Sequence, residues 1–498
     1  MTEQVPIPTR YPFLDILSGE QVRELHYATL EILRDTGVKM EDPQGRELLL
    51  EAGAWEADGR IKIPENMVND AIASAPARIP MYDRLGNLTM PLELGKVFFG
   101  TGSDTIFTLD IESGERRRAL AQDVEDFARL SDALDNIDFV MSMSNPSDVE
   151  PDDLYLHSFM RMLRGTVKPN VYTAKDLKDM EDIYRIAVAV AGGEEQLQAK
   201  PFFLQYAEPI SPLFIIEESL QKVIFCAEKG IPVGYIPSPN PGGGGPITVA
   251  GSVALGNAEC LLGLIIAQLV RPGTPFIYGM NTAALDMKST IVSYGSPEWS
   301  LGMASWTALG RYYDLPVWGY GAATDSKVVD AQAGIEATFS TMAAFLSRTT
   351  LVHDVAYIEY GSTSSMEMLV IADEIIRMTR YFVGGLPVNK NTLALEATKR
   401  VRPGGGYIAD RHTLDNFRTA QWMPNVIDRA DYESWKNQGS RDMFTRANER
   451  AREILEEHEV PPLPEEAEDV FVDILAERAE RATDYCFQPA GECHPPPR

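Results

Sequence analysis

Eight short apolar runs alternate with eight stretches of helical periodicity between residues 97 and 383, and this alternation restricts the fold more than any other feature. The runs of strand length lie at 97–99, 139–143, 170–173, 202–206, 233–236, 276–280, 317–320 and 349–353. The helical stretches lie at 122–133, 151–164, 175–192, 213–229, 252–271, 297–313, 330–348 and 363–383. Strands that alternate with helices form parallel βαβ units, and eight such units allow the sheet to close on itself. The pattern therefore predicts an α/β fold, a (β/α)8 TIM barrel.

Four prolines are placed as this barrel requires. Pro201, Pro232, Pro275 and Pro316 each stand just ahead of a predicted strand, where the missing amide donor does least harm. An open, doubly wound sheet is the main alternative. However, the chain has no GxGxxG at a first strand-to-helix turn and no P-loop signature, so the closed barrel is favoured.

The flanking regions are expected to pack around this barrel. Residues 1–96 predict an N-terminal helical cap and the start of a hairpin, with Ser18 and Gln21 as a capping box and Gly37 as the helix stop. A hairpin turn is expected at Ser113 and Gly114. Residues 97–383 form the predicted barrel, and residues 384–498 a C-terminal helical extension that packs on it, with helices near 430–459 and 464–481.

Charge and cysteine content exclude several classes of protein. The 498 residues carry a formal charge of -28, and such a field repels the phosphates of nucleic acids and anionic lipid surfaces. No uninterrupted apolar run reaches about 18 residues, so no transmembrane helix is expected. The N-terminus lacks the pattern of a secretory signal, and four cysteines are too few for a disulfide framework. These features predict a cytoplasmic protein that binds neither nucleic acid nor membrane.

Motifs for metal-dependent or nucleophilic catalysis are missing. The six histidines include no HExxH or HxH pair, and no GxSxG elbow is present. Cys486, Cys493 and His494 lie close together, but without a fourth ligand a frayed tail is a better interpretation than a metal corner. We therefore expect no bound metal and assign no catalytic residue.

Aromatic residues are concentrated near the predicted strand ends, where the active site of a (β/α)8 barrel forms. Any one of these rings is as readily a core residue, but together they predict a cage for an alkylated ammonium ion, which ring faces attract by ~2 kcal/mol when desolvated. The acidic Asp104 and Glu208 and the neutral Asn145 lie in the same loops, and the acids would add negative charge. The rings are those of Phe99, Tyr172, Tyr206, Tyr235, Tyr278, Trp318 and Tyr320.

Two further features of the predicted mouth have two interpretations each. His353 lies at a strand end, where it either binds a substrate carboxylate or is a structural histidine. The run Gly242 to Gly245 either cradles an anion with its amides or forms a flexible lid. No phosphate-type lysine stands beside the run, so the lid is favoured.

Five segments of the chain resemble one known family. They are HYATLEILRDTGVKM at 26–40, FFGTGSDTIFTLDIESGERRRA at 98–119, the stretch from PSPNPGGGG to FIYG at 237–279, GYGAATDSKVVDAQAGIEA at 319–337, and LVHDVAYIEYGSTSSMEMLVIADEII at 351–376. Together with the sequence between them they cover nearly the whole chain. They resemble the trimethylamine methyltransferase family in its non-pyrrolysine branch.

The resemblance implies a barrel enzyme that moves a methyl group from a methylated amine to the cobalt of a separate corrinoid protein. The cobalamin would then be carried by that partner, and this chain would bind no cofactor. Family members that use trimethylamine contain pyrrolysine, and no such residue is written here. The resemblance therefore implies a quaternary amine such as glycine betaine. Demethylation of a quaternary nitrogen releases a neutral amine, so positioning and desolvation suffice without a general acid.

Three alternatives stay open from the sequence. The substrate is trimethylamine or another methylated amine; or the chain is a non-catalytic binding protein for quaternary ammonium compounds; or it is a barrel lyase or aldolase that uses the Gly242 to Gly245 run and Lys327 for an anionic substrate. The helices beyond residue 384 also offer a surface for a homo-oligomer.

Overall fold

A shell of three helices and short hairpins precedes the central sheet in this computed structural model, which describes residues 13–486. The predicted capping box is present, because the Gln21 N–H donates to the Ser18 hydroxyl while the Ser18 N–H donates to the Gln21 side chain. Gly37, at φ 67°, ends the helical run as predicted. The shell consists of α1 (Gly19–Glu31) with a π-helical turn (Ile32–Thr36), β1 (Lys39–Met40), α2 (Pro43–Glu51), β2 (Trp55–Ala57), β3 (Arg60–Lys62), α3 (Glu65–Ser74), β4 (Ile79–Tyr82) and β5 (Leu88–Leu92).

Two hairpins in this shell were not predicted. Strand β2 pairs with β3, and β4 pairs with β5, both antiparallel. Strands of three to five residues are too short for a clear alternation of burial. The turn at Asp58 and Gly59 was nevertheless a readable signal, because both residues adopt positive φ, which is what a two-residue hairpin turn with Asp-Gly requires.

The central region alternates strands and helices as expected, and seven of the eight predicted strand runs form strands. Its elements are β6 (Phe98–Thr101), β7 (Phe107–Leu109), β8 (Arg116–Arg118), α4 (Ala121–Ala133), α5 (Leu154–Gly165), β9 (Asn170–Tyr172), α6 (Leu177–Ala191), α7 (Glu194–Ala199), β10 (Phe203–Ala207), β11 (Phe214–Ile215), α8 (Glu217–Lys229), β12 (Val233–Tyr235), α9 (Val249–Val270), β13 (Phe276–Gly279), β14 (Ala284–Leu285), β15 (Val292–Ser293), α10 (Pro297–Tyr313), β16 (Val317–Tyr320), α11 (Ala331–Ser347), β17 (Leu351–Val355), β18 (Tyr357–Ile358), β19 (Thr363–Ser364) and α12 (Met366–Val383).

The main sheet has seven parallel strands in the order β6-β17-β16-β13-β12-β10-β9. Neighbouring strands follow each other in the chain, except at β6, which pairs with the last strand. The carbonyls of the four strand-entry prolines each accept a hydrogen bond from a neighbouring chain segment, as Pro232 does from Gln205. The prolines thus keep their acceptors in the structure although they lack a donor.

The predicted second strand, 139–143, is not a strand. Its residues make only single parallel bridges, from Phe139 to Gly100 of β6 and from Val140 to Asn170 of β9. The hydroxyl of Thr101 takes both backbone groups of Met141, accepting from its N–H at 2.9 Å and donating to its carbonyl at 3.0 Å. A side chain therefore replaces the backbone ladder at this point, between the two edges of the seven-stranded sheet.

One polar network and one apolar helix attach the shell to the sheet. Helix α9 is long and apolar enough to cross a membrane, but 89% of its apolar window is buried inside the protein, as expected for a core helix. From α1, His26 Nδ1 lies 3.0 Å from the Tyr313 hydroxyl, which accepts from the Asn257 amide at 2.8 Å. The same amide group accepts from Tyr278 at 2.7 Å, so shell, helix layer and sheet share one network.

The C-terminal extension lies against α4, α5, α6 and α12. It comprises α13 (Leu395–Val401), α14 (Arg411–Ala420), α15 (Tyr432–Asn437), α16 (Met443–Glu457) and α17 (Glu465–Cys486). One oxygen of the buried Glu374 accepts the backbone N–H groups of residues 425–427 at 2.7, 2.9 and 3.2 Å. On α17, Arg478 contacts three acids near α6, namely Asp153, Asp179 and Asp182. Ion pairs and carboxylate hydrogen bonds therefore hold the C-terminal extension against the central region, in addition to apolar contacts.

Candidate substrate site

Four of the predicted cage rings point away from the barrel interior. Phe99 packs on Phe345 of α11 with ring centroids 5.0 Å apart. The hydroxyls of Tyr235 and Tyr278 bond to α8 and α9. Tyr172 packs against Phe159 and Phe203. Successive side chains of a strand face opposite sides of the sheet. These four rings lie on the side that faces the helices.

The other predicted rings do meet inside the barrel. Trp318 and Tyr320 are two residues apart on β16 and so share the inner face, where His353 of β17 lies 4.4 Å and 4.5 Å from their ring centroids. Tyr206, at the end of β10, lies 5.3 Å from Trp318. Gly279 makes room for this cluster, because a Cβ there would lie 2.7 Å from the Trp318 Cβ.

Three further aromatic residues extend the cluster toward the mouth, and none of them was predicted from the sequence. Trp299, at the start of α10, stacks 5.2 Å from Tyr320, and Tyr294 lies 4.9 Å from Trp299. Tyr357 follows at 6.4 Å from Tyr294. We call this group of rings in mutual contact the aromatic recess: Tyr206, Tyr294, Trp299, Trp318, Tyr320, His353 and Tyr357.

Three carboxyl groups border the aromatic recess. Glu208 is exposed to solvent, and its carboxylate accepts a hydrogen bond from the Tyr206 hydroxyl. Desolvation, together with the nearby charge of Asp104, raises the pKa of Glu208 to about 7. Desolvation also raises the pKa of Asp104, and it raises that of Asp354 well above the usual range, with the charges of Glu208 and Asp104 adding to the effect. Such a set of acids among ring faces attracts cations.

The hydrogen bonds of His353 define its protonation state. Burial lowers the pKa of His353 to about 3, so the ring is neutral at pH 7. Its Nδ1 lies 3.1 Å from the Gly319 carbonyl, which only accepts, so we assign the hydrogen to Nδ1. Nε2 then accepts from Asp354, whose oxygen lies 3.0 Å away, and Asp354 is a neutral acid. This state leaves His353 without a free donor, and its pairing with a substrate carboxylate stays an untested prediction.

Backbone strain is concentrated at the same end of the barrel. Several non-glycine residues after β6, at the end of β17 and after β17 adopt positive φ, which costs free energy and persists where the surrounding structure enforces it. Strain of this kind is typical of functional sites. The residues and their φ angles are Asp104 (67°), Asp354 (71°), Ala356 (78°), Glu359 (51°) and Tyr360 (49°).

A small side pocket adjoins Asp104. Its interior space is only about 10 Å³, close to that of a single water molecule, and its wall includes Tyr172. Asn145, the remaining predicted site residue, lies beside Asp104 and bonds to it through its side chain. Ser158 is buried, and its hydroxyl has no hydrogen-bond partner. The pocket is lined by Ser103, Ser142, Tyr155, Ser158, Met162, Val171, Tyr172 and Thr173.

Other predicted features of the mouth have structural roles. Within residues 13–486, no three His, Cys, Asp or Glu side chains are grouped to hold a metal ion, and Cys493 and His494 lie outside the described residues. The Gly242 to Gly245 run is a turn closed by a bridge between Pro241 and Gly245. The run lies beside Leu285 and Met287, and its role as a lid stays a prediction.

Some of the missed site residues had a readable signal. Asp354 is a charged residue directly after His353 in an otherwise apolar strand, LVHDV, and a buried unpaired acid is costly unless it has a function. Inward glycines 234 and 279 marked space inside the barrel. Tyr294 and Tyr357 had no such signal, because they lie in connections whose course depends on the whole fold.

The chain is similar to members of one protein family along most of its length. A family model described as trimethylamine methyltransferase (MTTB) matches residues 1–483. The chain is 33% identical to a trimethylamine methyltransferase of Desulfitobacterium hafniense over 90% of both chains. It is 30% identical to a glycine betaine methyltransferase of the same species, over 94% of this chain and 98% of that protein. The crystal structure of the Methanosarcina barkeri monomethylamine methyltransferase covers 89% of this chain and 93% of its own, at 12% identity and a TM-score of 0.45.

Proposed function

Because the chain belongs to the trimethylamine methyltransferase family, we propose that it transfers a methyl group from a small quaternary ammonium compound to the Co(I) of a separate corrinoid protein. Glycine betaine, a quaternary amine named in one relative, is the first compound to test, and trimethylamine, a tertiary amine named in another, tests the alternative. In the reaction a carbon–nitrogen bond breaks, a carbon–cobalt bond forms, and the nitrogen keeps the electron pair as a neutral amine. The metal centre belongs to the partner, and this chain binds and orients the methyl donor.

The aromatic recess is the observation that carries the proposal. Tyr206 and Tyr294 are partly exposed, while Trp318 and Tyr320 close the floor. Ring faces and carboxyl groups together stabilise an ammonium ion that has no N–H to donate. Such a site holds the nitrogen and shields it from water, while one methyl group stays directed to the open mouth. Orientation and desolvation of this kind are the contributions that a methyl transfer to an external nucleophile needs.

The observed sheet has seven strands, and a closed barrel requires an eighth connection between its two edges. We propose that the seven strands and the bridges at Phe139 and Val140 form a closed (β/α)8 barrel over residues 97–383, with residues 1–96 and 384–498 packed outside it. The two described cysteines, Cys226 and Cys260, are buried free thiols, which agrees with a reducing cytoplasm. Homo-oligomerisation through the C-terminal extension stays a prediction.

The direct test is methyl transfer in solution. The purified chain is mixed with reduced corrinoid, either free Co(I)alamin or a corrinoid protein, and with each of trimethylamine, glycine betaine, choline and tetramethylammonium. Formation of methyl-Co(III), followed by its absorbance, is expected with at least one compound. Tight binding of an ammonium compound without transfer to any corrinoid would instead favour the non-catalytic binding protein. Absence of both binding and transfer would refute the proposal.

A further inference from the structure

The charges around the aromatic recess are unbalanced. Asp104 and Glu208 are the acids that carry negative charge there, because Asp354 is neutral and donates to His353, and no lysine or arginine acts on Asp354. Lys222 is the basic group that acts on the other two acids, and its ammonium group already donates to the Ala174 carbonyl. In the described part of the chain, the recess therefore offers negative charge without a free cation beside it.

Basic residues around the mouth are also engaged elsewhere. Arg116 pairs with Glu359 at 2.8 Å and Lys175 with Asp152 at 2.6 Å. The exposed Lys327 donates to the Asp325 carbonyl at 2.7 Å. A substrate carboxylate in the recess would therefore lie near acidic side chains. His353 is neutral and offers no positive charge to pair with it.

We propose that the site selects a methylated ammonium ion whose remaining substituent is neutral, such as a hydroxyalkyl group, over a betaine. The inference rests on the proposed function and narrows its substrate class. In a short betaine only one methylene separates nitrogen and carboxyl group, so a nitrogen held beside Glu208 and Asp104 brings the carboxylate close to the same acids. Like charges at that range disfavour binding.

The side pocket next to Asp104 receives only the terminal hydroxyl of the neutral tail. Six of its eight lining residues carry a hydroxyl group, and the Ser158 hydroxyl is buried without a partner. A buried hydroxyl that lacks a partner gains from a ligand that supplies one. A hydroxyl on the substrate satisfies Ser158 without introducing charge, whereas a carboxylate there would lie against Asp104.

Calorimetric titration of the full chain with a matched ligand set tests the selection. Glycine betaine and its methyl ester differ only in the charge of the tail, and choline and tetramethylammonium extend the series. The ester and choline are expected to bind at least roughly tenfold more tightly than glycine betaine at pH 8. Equal or tighter binding of glycine betaine overturns the inference and leaves methyl transfer intact. Binding of none of the four overturns both.

Two variants connect the selection to its residues. Glu208→Gln should weaken choline binding and reduce the preference for the ester over glycine betaine, whereas Glu228→Gln, an exposed control on α8, should change neither. Ser158→Ala should lower the preference for choline over tetramethylammonium by about fivefold. An unchanged ester preference in Glu208→Gln overturns the charge argument. An unchanged choline preference in Ser158→Ala overturns the placement of the tail.

Discussion

Replacing Tyr206 by leucine separates cation–π attraction from simple burial in the aromatic recess. Tyr206 is the partly exposed ring at the end of β10, 5.3 Å from Trp318 and 6.0 Å from His353. Leucine keeps an apolar side chain at the position but removes the ring face. Phenylalanine keeps the face and removes only the hydroxyl that donates to Glu208. The two variants therefore remove different parts of one side chain.

The expected size of the effect follows from the enclosure of the site. A desolvated ring face stabilises an ammonium ion by about 2 kcal/mol, which corresponds to roughly 30-fold in Kd. We therefore expect Tyr206→Leu to weaken choline binding about 30-fold. Tyr206→Phe should retain most of the affinity at high pH, but its Glu208 loses a hydrogen bond that lowers the carboxyl pKa. Binding by Tyr206→Phe should thus weaken more than that of the wild type as the pH falls through 7.

The assay compares a cation with its neutral isostere. Calorimetry gives Kd for choline and for 3,3-dimethylbutanol, in which carbon replaces the nitrogen. Tyr206→Leu should affect choline far more than the neutral alcohol, and Tyr432→Leu, an exposed control on α15, should affect neither. A thermal melt checks that both variants fold. Equal losses for choline and the alcohol would refute the cation–π argument, because burial alone treats the two ligands alike.

Three further predictions address charge and stability. Choline affinity should rise between pH 6 and pH 8, because the carboxyl of Glu208, with a pKa of about 7, gains its negative charge over that interval; a pH-independent Kd would contradict this. Asp354→Asn should keep choline binding within about threefold, because the amide replaces the neutral acid as the donor to His353, and a loss above tenfold would show that Asp354 is ionised. Glu374→Ala should lower the free energy of unfolding by about 2–4 kcal/mol and expose residues 425–427 to limited proteolysis, whereas unchanged cleavage would show that the extension is held by other contacts.

The order of the main helices, and of seven of the eight predicted strands, was predictable from local pattern. The predicted bounds of α10 and β16, 297–313 and 317–320, are those observed, because a helix with Pro at its start and an apolar strand after a proline carry strong local signals. The strand predicted at 139–143 is interrupted at Met141, where the Thr101 side chain takes up both backbone hydrogen bonds. That competition is between residues about 40 positions apart, which local pattern does not register.

Only some of the residues that the sequence suggested for the site lie together in the structure, and their role in binding stays a prediction. Aromatic and acidic residues at strand ends indicated an ammonium site, and Tyr206, Glu208, Tyr320, His353 and Asp104 do border one recess. The phase of each strand was not predicted, because moving by one residue turns a side chain from the interior to the helix layer.

Sequence alone thus determined the repeating βα pattern, the acidic surface and the chemical character of the mouth, since these depend on residue type and spacing along the chain. Only the tertiary structure decided which rings face inward, that His353 is neutral and bonded on both nitrogens, and that three acids share one recess with little positive charge. Those properties arise from burial and from distances between residues far apart in the chain. Desolvation and Coulomb interactions are set by that geometry and not by the order of residues.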